Sequence, residues 1–128
     1  MTRAIEFVEV GPRDGLQNEK LLVPVEAKLE LVQRAIGAGA RRVEVTSFVN
    51  PKKVPQMADA EELCALLPRG TGVEFIGLVM NARGAQRAIE TGSITQLGAV
   101  CVTTDTFAMA NQGQTSDESV AAASEVVR

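Results

Sequence analysis

The sequence predicts an α/β fold made of four successive strand–helix units with parallel strands. Three observations carry this. Four short runs rich in β-branched and apolar residues recur along the chain: Ile5 to Val10, Arg42 to Thr46, Val73 to Met80 and Leu97 to Thr103. The segments between them are long enough for the helical crossovers that parallel strands require. Glycine or proline punctuates the joints.

Each element has its own signal. Ile-Glu-Phe-Val-Glu-Val alternates as a strand does and stops at Gly11-Pro12. A polar loop runs to Val23, and Pro24 suits the first turn of a helix, where its missing N–H costs nothing. Val25, Leu29, Val32 and Ile36 then recur at helical spacing, with Leu31 and Ala35 widening the stripe, until Gly37 and Gly39 end it. RVEVT, Arg42 to Thr46, is the second strand. SFVNPKKVPQM comes next, its two prolines excluding regular structure. Asp59 is placed to cap a short helix over Ala60 to Leu67, before Pro68 and Gly70 break the chain. VEFIGLVM is almost wholly apolar, as suits a strand covered on both faces. Asn81 caps a helix through Glu90 that Gly92 ends. After the fourth strand, TTDTFAMANQGQ reads as a loop, and Thr115 or Ser116 caps a last helix in which Glu118 completes a capping box.

Two architectures use such units. Eight of them close a barrel over roughly 250 residues, of which this chain supplies half. Fewer make an open, doubly wound sheet, which 128 residues would complete. The repeat alone is compatible with either. In both, functional loops lie at the C-terminal ends of the strands. No linker divides residues 1–128, which read as one domain.

Composition excludes several roles. A net charge of −3 gives no general attraction to nucleic acid or acidic membranes, and aromatics at 3% with no Trp or Tyr leave no stacking platform for bases. No apolar run reaches the ~20 residues of a membrane span. MTRAIEFVEV lacks the apolar centre of a secretion signal. Cys64 and Cys101 stand outside any metal or redox spacing and read as reduced, packed thiols, so the expected location is cytoplasmic.

The candidate chemistry lies on the strand-end loops. Asp14 offers a hard oxygen ligand, and Arg13 beside it a fork of donors for an enolate or carboxylate oxygen. Glu44 alternates away from Val43 and Val45, so in a barrel interior it needs a cation, for which Arg13 is the natural partner. Bland readings stand beside these. Asp-Gly is a common turn element, Glu44 fits a one-sided strand facing solvent, Lys52 and Lys53 read as solvated, and Asp105 reads as a turn cap. With no histidine in the chain, these residues define no complete site.

Longer motifs add to this. VGPRDGLQNEK resembles the first-strand loop of 3-hydroxy-3-methylglutaryl-CoA lyases, and TSFVNPKKVPQMAD their second-strand loop. DTFAMANQGQTSDES is similar to their fourth-strand loop, with Ala108 and Met109 where polar residues are expected. The resemblance runs from Glu6 to Val127. It implies the N-terminal four βα units of a TIM-type (β/α)8 barrel, with the C-terminal half absent from this sequence. The implied activity is cleavage of 3-hydroxy-3-methylglutaryl-CoA, or a similar 3-hydroxyacyl-CoA, to acetyl-CoA and acetoacetate in the complete chain. By the same resemblance Asp14 is a ligand of Mg²⁺ or Mn²⁺, and Arg13 stabilises the enolate with support from Glu44. Gln17 and Ser47 line the substrate cavity. Later metal ligands and a catalytic cysteine of the family have no counterpart here. Acyl-CoA is the implied substrate partner and a homodimer the implied assembly of the complete protein. A related Claisen-type synthase and an inactive half barrel serving as an assembly module are the alternatives.

Overall fold

The structure, a computed structural model, describes residues 4–128. Met1 to Arg3, part of the stretch compared with a secretion signal, lie outside the described residues. Three strands, β1 (Arg42–Ser47), β2 (Glu74–Val79) and β3 (Gln96–Ala99), form a parallel sheet in the order β1-β2-β3. Five α-helices accompany them: α1 (Val25–Gly37), α2 (Ala60–Leu66), α3 (Ala82–Glu90), α4 (Asp105–Gln112) and α5 (Ser116–Val127). The strands succeed one another without the reversal of order that defines a doubly wound sheet.

One face of the sheet is dry. Val43, Val45, Phe75 and Val79 pack there against Val32 of α1, Ala60 and Cys64 of α2, and Ala85 and Ala88 of α3. Val32, Val43, Val45 and Val79 are fully buried, each stabilising the fold by roughly 1.5–3 kcal/mol. The alternate residues of the strands, Arg42 and Glu44 on β1 and Glu74 on β2, belong to the other, more polar face, where Ile76 is buried beside them. Among the described residues no helix is long and apolar enough to cross a membrane.

Helix ends obey the sequence signals in two cases. Asn81 Oδ1 accepts a hydrogen bond from Gly84 N at 3.0 Å, and Thr115 and Glu118 form the expected capping box on α5. Asp59 does not cap α2: its carboxylate is drawn to the Lys28 ammonium instead, both oxygens lying within 2.9 Å of Nζ. Leu31 turns out exposed, because the buried stripe of α1 runs through Val25, Lys28 and Val32.

The margins of the sheet differ from expectation. The strand expected over Ile5 to Val10 is reduced to one parallel bridge between Glu9 and Val43, with Glu9 N donating to Arg42 O and Glu44 N to Glu9 O. Ile5 and Phe7 are exposed, so this segment has a neighbour on one side alone among the described residues. The fourth strand stops at Ala99 rather than Thr103, since Val102 N donates to Ser119 Oγ of α5 and leaves the ladder. TTDTFAMANQGQ is largely helical as α4, not a loop. Of α4's residues Ala108 alone is buried, so no apolar stripe announced it; Gly113, left-handed at φ 69°, closes it. Pro55–Met57 forms one 3₁₀ turn inside the stretch expected to be irregular.

Candidate active site

The loop after Glu9 folds as a single wide turn over Gly11–Gly15, with Pro12 at its start and Asp14 N donating to Val10 O at 2.7 Å. Glu9 closes the entrance by accepting Gly11 N at 2.7 Å. That turn aims Arg13 at β1. Its Nε donates to Glu44 Oε1, and its Nη1 to Asp14 Oδ1 at 3.2 Å. Arg13 and Glu44 are largely buried, with side chains 16% and 13% exposed, whereas Asp14 is 58% exposed. The one-sided surface reading of Glu44 therefore falls. It faces inward and is paired with a cation, as an ionised group there must be.

A second pair lies between the same two segments. Ser47, fully buried at the C-terminal end of β1, donates its hydroxyl to Gln17 Oε1 at 3.3 Å, an arrangement that leaves the Gln17 amide N–H groups available. Ser47 is anchored by the next residue in the chain. Phe48 is buried against positions where only glycine fits: a Cβ at Gly77 would approach its ring to 2.7 Å, and one at Gly84 its carbonyl oxygen to 2.7 Å. Arg87 of α3 adds a hydrogen bond to Val49 O, lies 5.7 Å over the Phe48 ring and pairs with Glu61. That guanidinium holds the Glu61 carboxyl below the ordinary carboxylate range against an opposing effect of partial burial.

Arg13, Gln17, Glu44 and Ser47, with Asp14, are thus brought together by β1 and the loop beside it. The other candidates are not. Cys64 is buried on the sheet-facing side of α2, and burial pushes its thiol up to about 11, away from nucleophilic use. Cys101 is exposed rather than packed, because its segment lies beyond the end of β3; it borders a hollow with Val120 and Val127 of α5. Lys52 and Lys53 are exposed as expected. Asp105 accepts bonds from Ser116 N and Oγ, both at 2.8 Å, which lower its pKa and tie the start of α4 to that of α5. A hollow of about 210 Å³ between α2 and α3 contains no residue of the Arg13 cluster.

Lys28 belongs to no motif and was not singled out from the sequence. It is 3% exposed, and its ammonium binds Asp59 and the Gln56 carbonyl. Its place between Val25 and Val32, at helical spacing from both, puts it on the apolar face, which was the available signal.

For a divalent cation the fit is partial. Asp14 presents a hard, accessible carboxylate with one oxygen engaged by Arg13, suitable as one ligand. Among the described residues no three carboxylate, thiol or imidazole groups gather to hold a metal ion.

No family model matches the sequence. The mitochondrial hydroxymethylglutaryl-CoA lyase of Arabidopsis thaliana is 40% identical over 116 residues, covering 91% of this chain and 25% of its own length. The cytoplasmic 3-hydroxy-3-methylglutaryl-CoA lyase of Mus musculus is 38% identical over 123 residues, 96% of this chain and 36% of its own. Among solved structures, the HMG-CoA lyase of Brucella melitensis superposes with a TM-score of 0.88 at 38% identity, over 98% of this chain and 44% of that one. The HMG-CoA lyase of Acinetobacter baumannii, in complex with coenzyme A and 3-methylmalate, gives 0.86 at 34%, over 99% and 42%. The chain therefore spans a quarter to about a third of these curated relatives. Matched along nearly all of its own length in both sequence and fold, it belongs to the hydroxymethylglutaryl-CoA lyase family.

Proposed function

We propose that this chain forms the first four βα units of a (β/α)8 barrel, and that the complete protein cleaves 3-hydroxy-3-methylglutaryl-CoA to acetyl-CoA and acetoacetate. The observation that carries the reading is Arg13, fixed by the Glu44 carboxylate beside an accessible Asp14. In the reaction the carbon–carbon bond next to the tertiary hydroxyl breaks. Its electron pair moves toward the thioester, and the hydroxyl carbon becomes the ketone of acetoacetate as its proton leaves. Negative charge collects on the thioester oxygen, where a fixed guanidinium stabilises it more than it stabilises the starting ester.

Glu44 acts through Arg13: it neutralises the cation and sets its direction, so the remaining donors need no reorientation during the reaction. Gln17, held by Ser47, offers its amide N–H groups to a substrate oxygen. A divalent cation, Mg²⁺ or Mn²⁺, when bound with Asp14 as one ligand, polarises the hydroxyl and carboxylate oxygens of the substrate. Acyl-CoA as substrate, a homodimeric assembly and a cytoplasmic location complete the proposal. Relatives of this family include both cytoplasmic and mitochondrial enzymes, and cell fractionation decides the location.

The test uses the protein expressed from its native gene. Its intact mass should exceed twice the 13.6 kDa of this chain, and with Mg²⁺ it should release acetyl-CoA and acetoacetate in equal amounts. A protein of larger mass that leaves 3-hydroxy-3-methylglutaryl-CoA and its close analogues intact contradicts the proposal.

A further inference from the structure

A buried ammonium on the outer helix reaches the loops that build the site. Lys28 Nζ donates to Asp59 Oδ1 at 2.7 Å, to Oδ2 at 2.9 Å, and to the Gln56 carbonyl. Gln56 then turns its side-chain amide to Glu19 O, 2.8 Å away, in the loop that carries Gln17. Its neighbour Met57, buried in the 3₁₀ turn, accepts a weak bond from Thr46 Oγ1 at 3.6 Å, next to Ser47. Gln56 is therefore gripped on one side by α1 and itself grips the Gln17 loop on the other. Asp59 meanwhile stands where it would cap α2 and makes no cap bond. A cap is ordinarily stabilising; here the carboxylate serves the ammonium instead.

We infer that Lys28 is a positioning residue: through Gln56 it sets the register of the loop bearing Gln17 and Arg13 against the loop after Ser47. This rests on the lyase reading for its effect on turnover, but the loop coupling itself does not depend on that reading. Displacement of a catalytic group by about 1 Å can cost on the order of a hundredfold in rate, so loss of this link should appear in kcat more than in KM.

Three variants of the complete protein separate positioning from stability. Lys28→Met leaves Asp59 without its partner and should lower Tm. Lys28→Met combined with Asp59→Leu removes both charges and should recover most of that Tm, while kcat stays at least roughly tenfold down and KM changes less than about threefold. Gln56→Leu, which cuts an exposed hydrogen bond to Glu19 O, should lower kcat in the same way with little change in Tm. Hydrogen exchange over residues 11–23 and 48–58 supplies a readout that needs no turnover: it should quicken in both segments in all three variants. A double variant with wild-type kcat overturns the inference, as does unchanged exchange in the 11–23 segment when Lys28 is replaced. If the wild-type protein shows no lyase activity but the exchange coupling holds, the functional reading fails and the positioning inference stands.

Discussion

The polar face of the sheet carries two arginine clusters, one toward each end, and they are built to opposite specifications. At the N-terminal end Arg42 is spent. Its guanidinium donates to Glu74, to Glu6 and to Gln96, so three of its nitrogens have acceptors and it ties three segments to β1. Toward the C-terminal end Arg13 is held at Nε by Glu44 and at Nη1 by Asp14, while its Nη2 has no partner among the described residues. Both arginines are mostly buried. What separates them is satisfaction: a saturated guanidinium is a strut, whereas an anchored one with free donors can serve an oxygen that gains charge during a reaction.

The largest effect should come from the unsaturated arginine. Arg13→Gln in the complete protein should lower turnover by ~10²–10³, with metal binding retained in a calorimetric titration. Near-normal turnover would remove Arg13 from the chemistry. The mirror substitution, Arg42→Met, should leave kcat within about twofold and lower stability by roughly 1 kcal/mol in thermal melts. Its partners Glu6 and Glu74 are 72% and 55% exposed, so solvent weakens each pair. A large kcat loss in Arg42→Met with stability intact would dissolve the contrast.

A smaller effect sharpens the role of the helical side. Arg87 depresses the pKa of Glu61, so this pair stabilises the fold above the ordinary carboxylate range and loses that stabilisation as pH falls through the lowered value. Glu61→Gln should therefore lower stability near neutrality by a few tenths of a kcal/mol, and the deficit should vanish at acid pH, flattening the acid limb of the stability–pH curve. An equal shift at neutral pH and below the lowered pKa would mean that packing, not charge, dominates there.

The elements best read from sequence are those whose signals are local and whose surroundings lie within the chain. α1 and α3, with the Asn81 cap and the Thr115–Glu118 box, depend on spacing and on hydrogen bonds within one turn. The outer strand segments depend on neighbours, so Ile5 to Val10 shrank to one bridge and the last strand ended at Ala99. α4 escaped notice because a helix with one buried residue has no stripe to recognise. At the site, alternation along β1 set Glu44 opposite Val43 and Val45 but left it free to face solvent or an interior; its burial against Arg13 depends on the loop after Glu9, which alternation does not place. Lys28 was missed for the converse reason. Its partners, Gln56 and Asp59, lie 28 and 31 residues away, and composition alone gives no sign of such a contact.

If Glu44 works through Arg13, a double-mutant cycle on turnover tests that dependence most directly. Arg13→Gln, Glu44→Gln and the double variant would be compared in the complete protein with 3-hydroxy-3-methylglutaryl-CoA and Mg²⁺. Residues that act as one unit give losses that do not add. Glu44→Gln alone should be costly, and the double variant should be no slower than Arg13→Gln. Losses that multiply, with the double variant slower by the product of the two single effects, would contradict the dependence of Glu44 on Arg13.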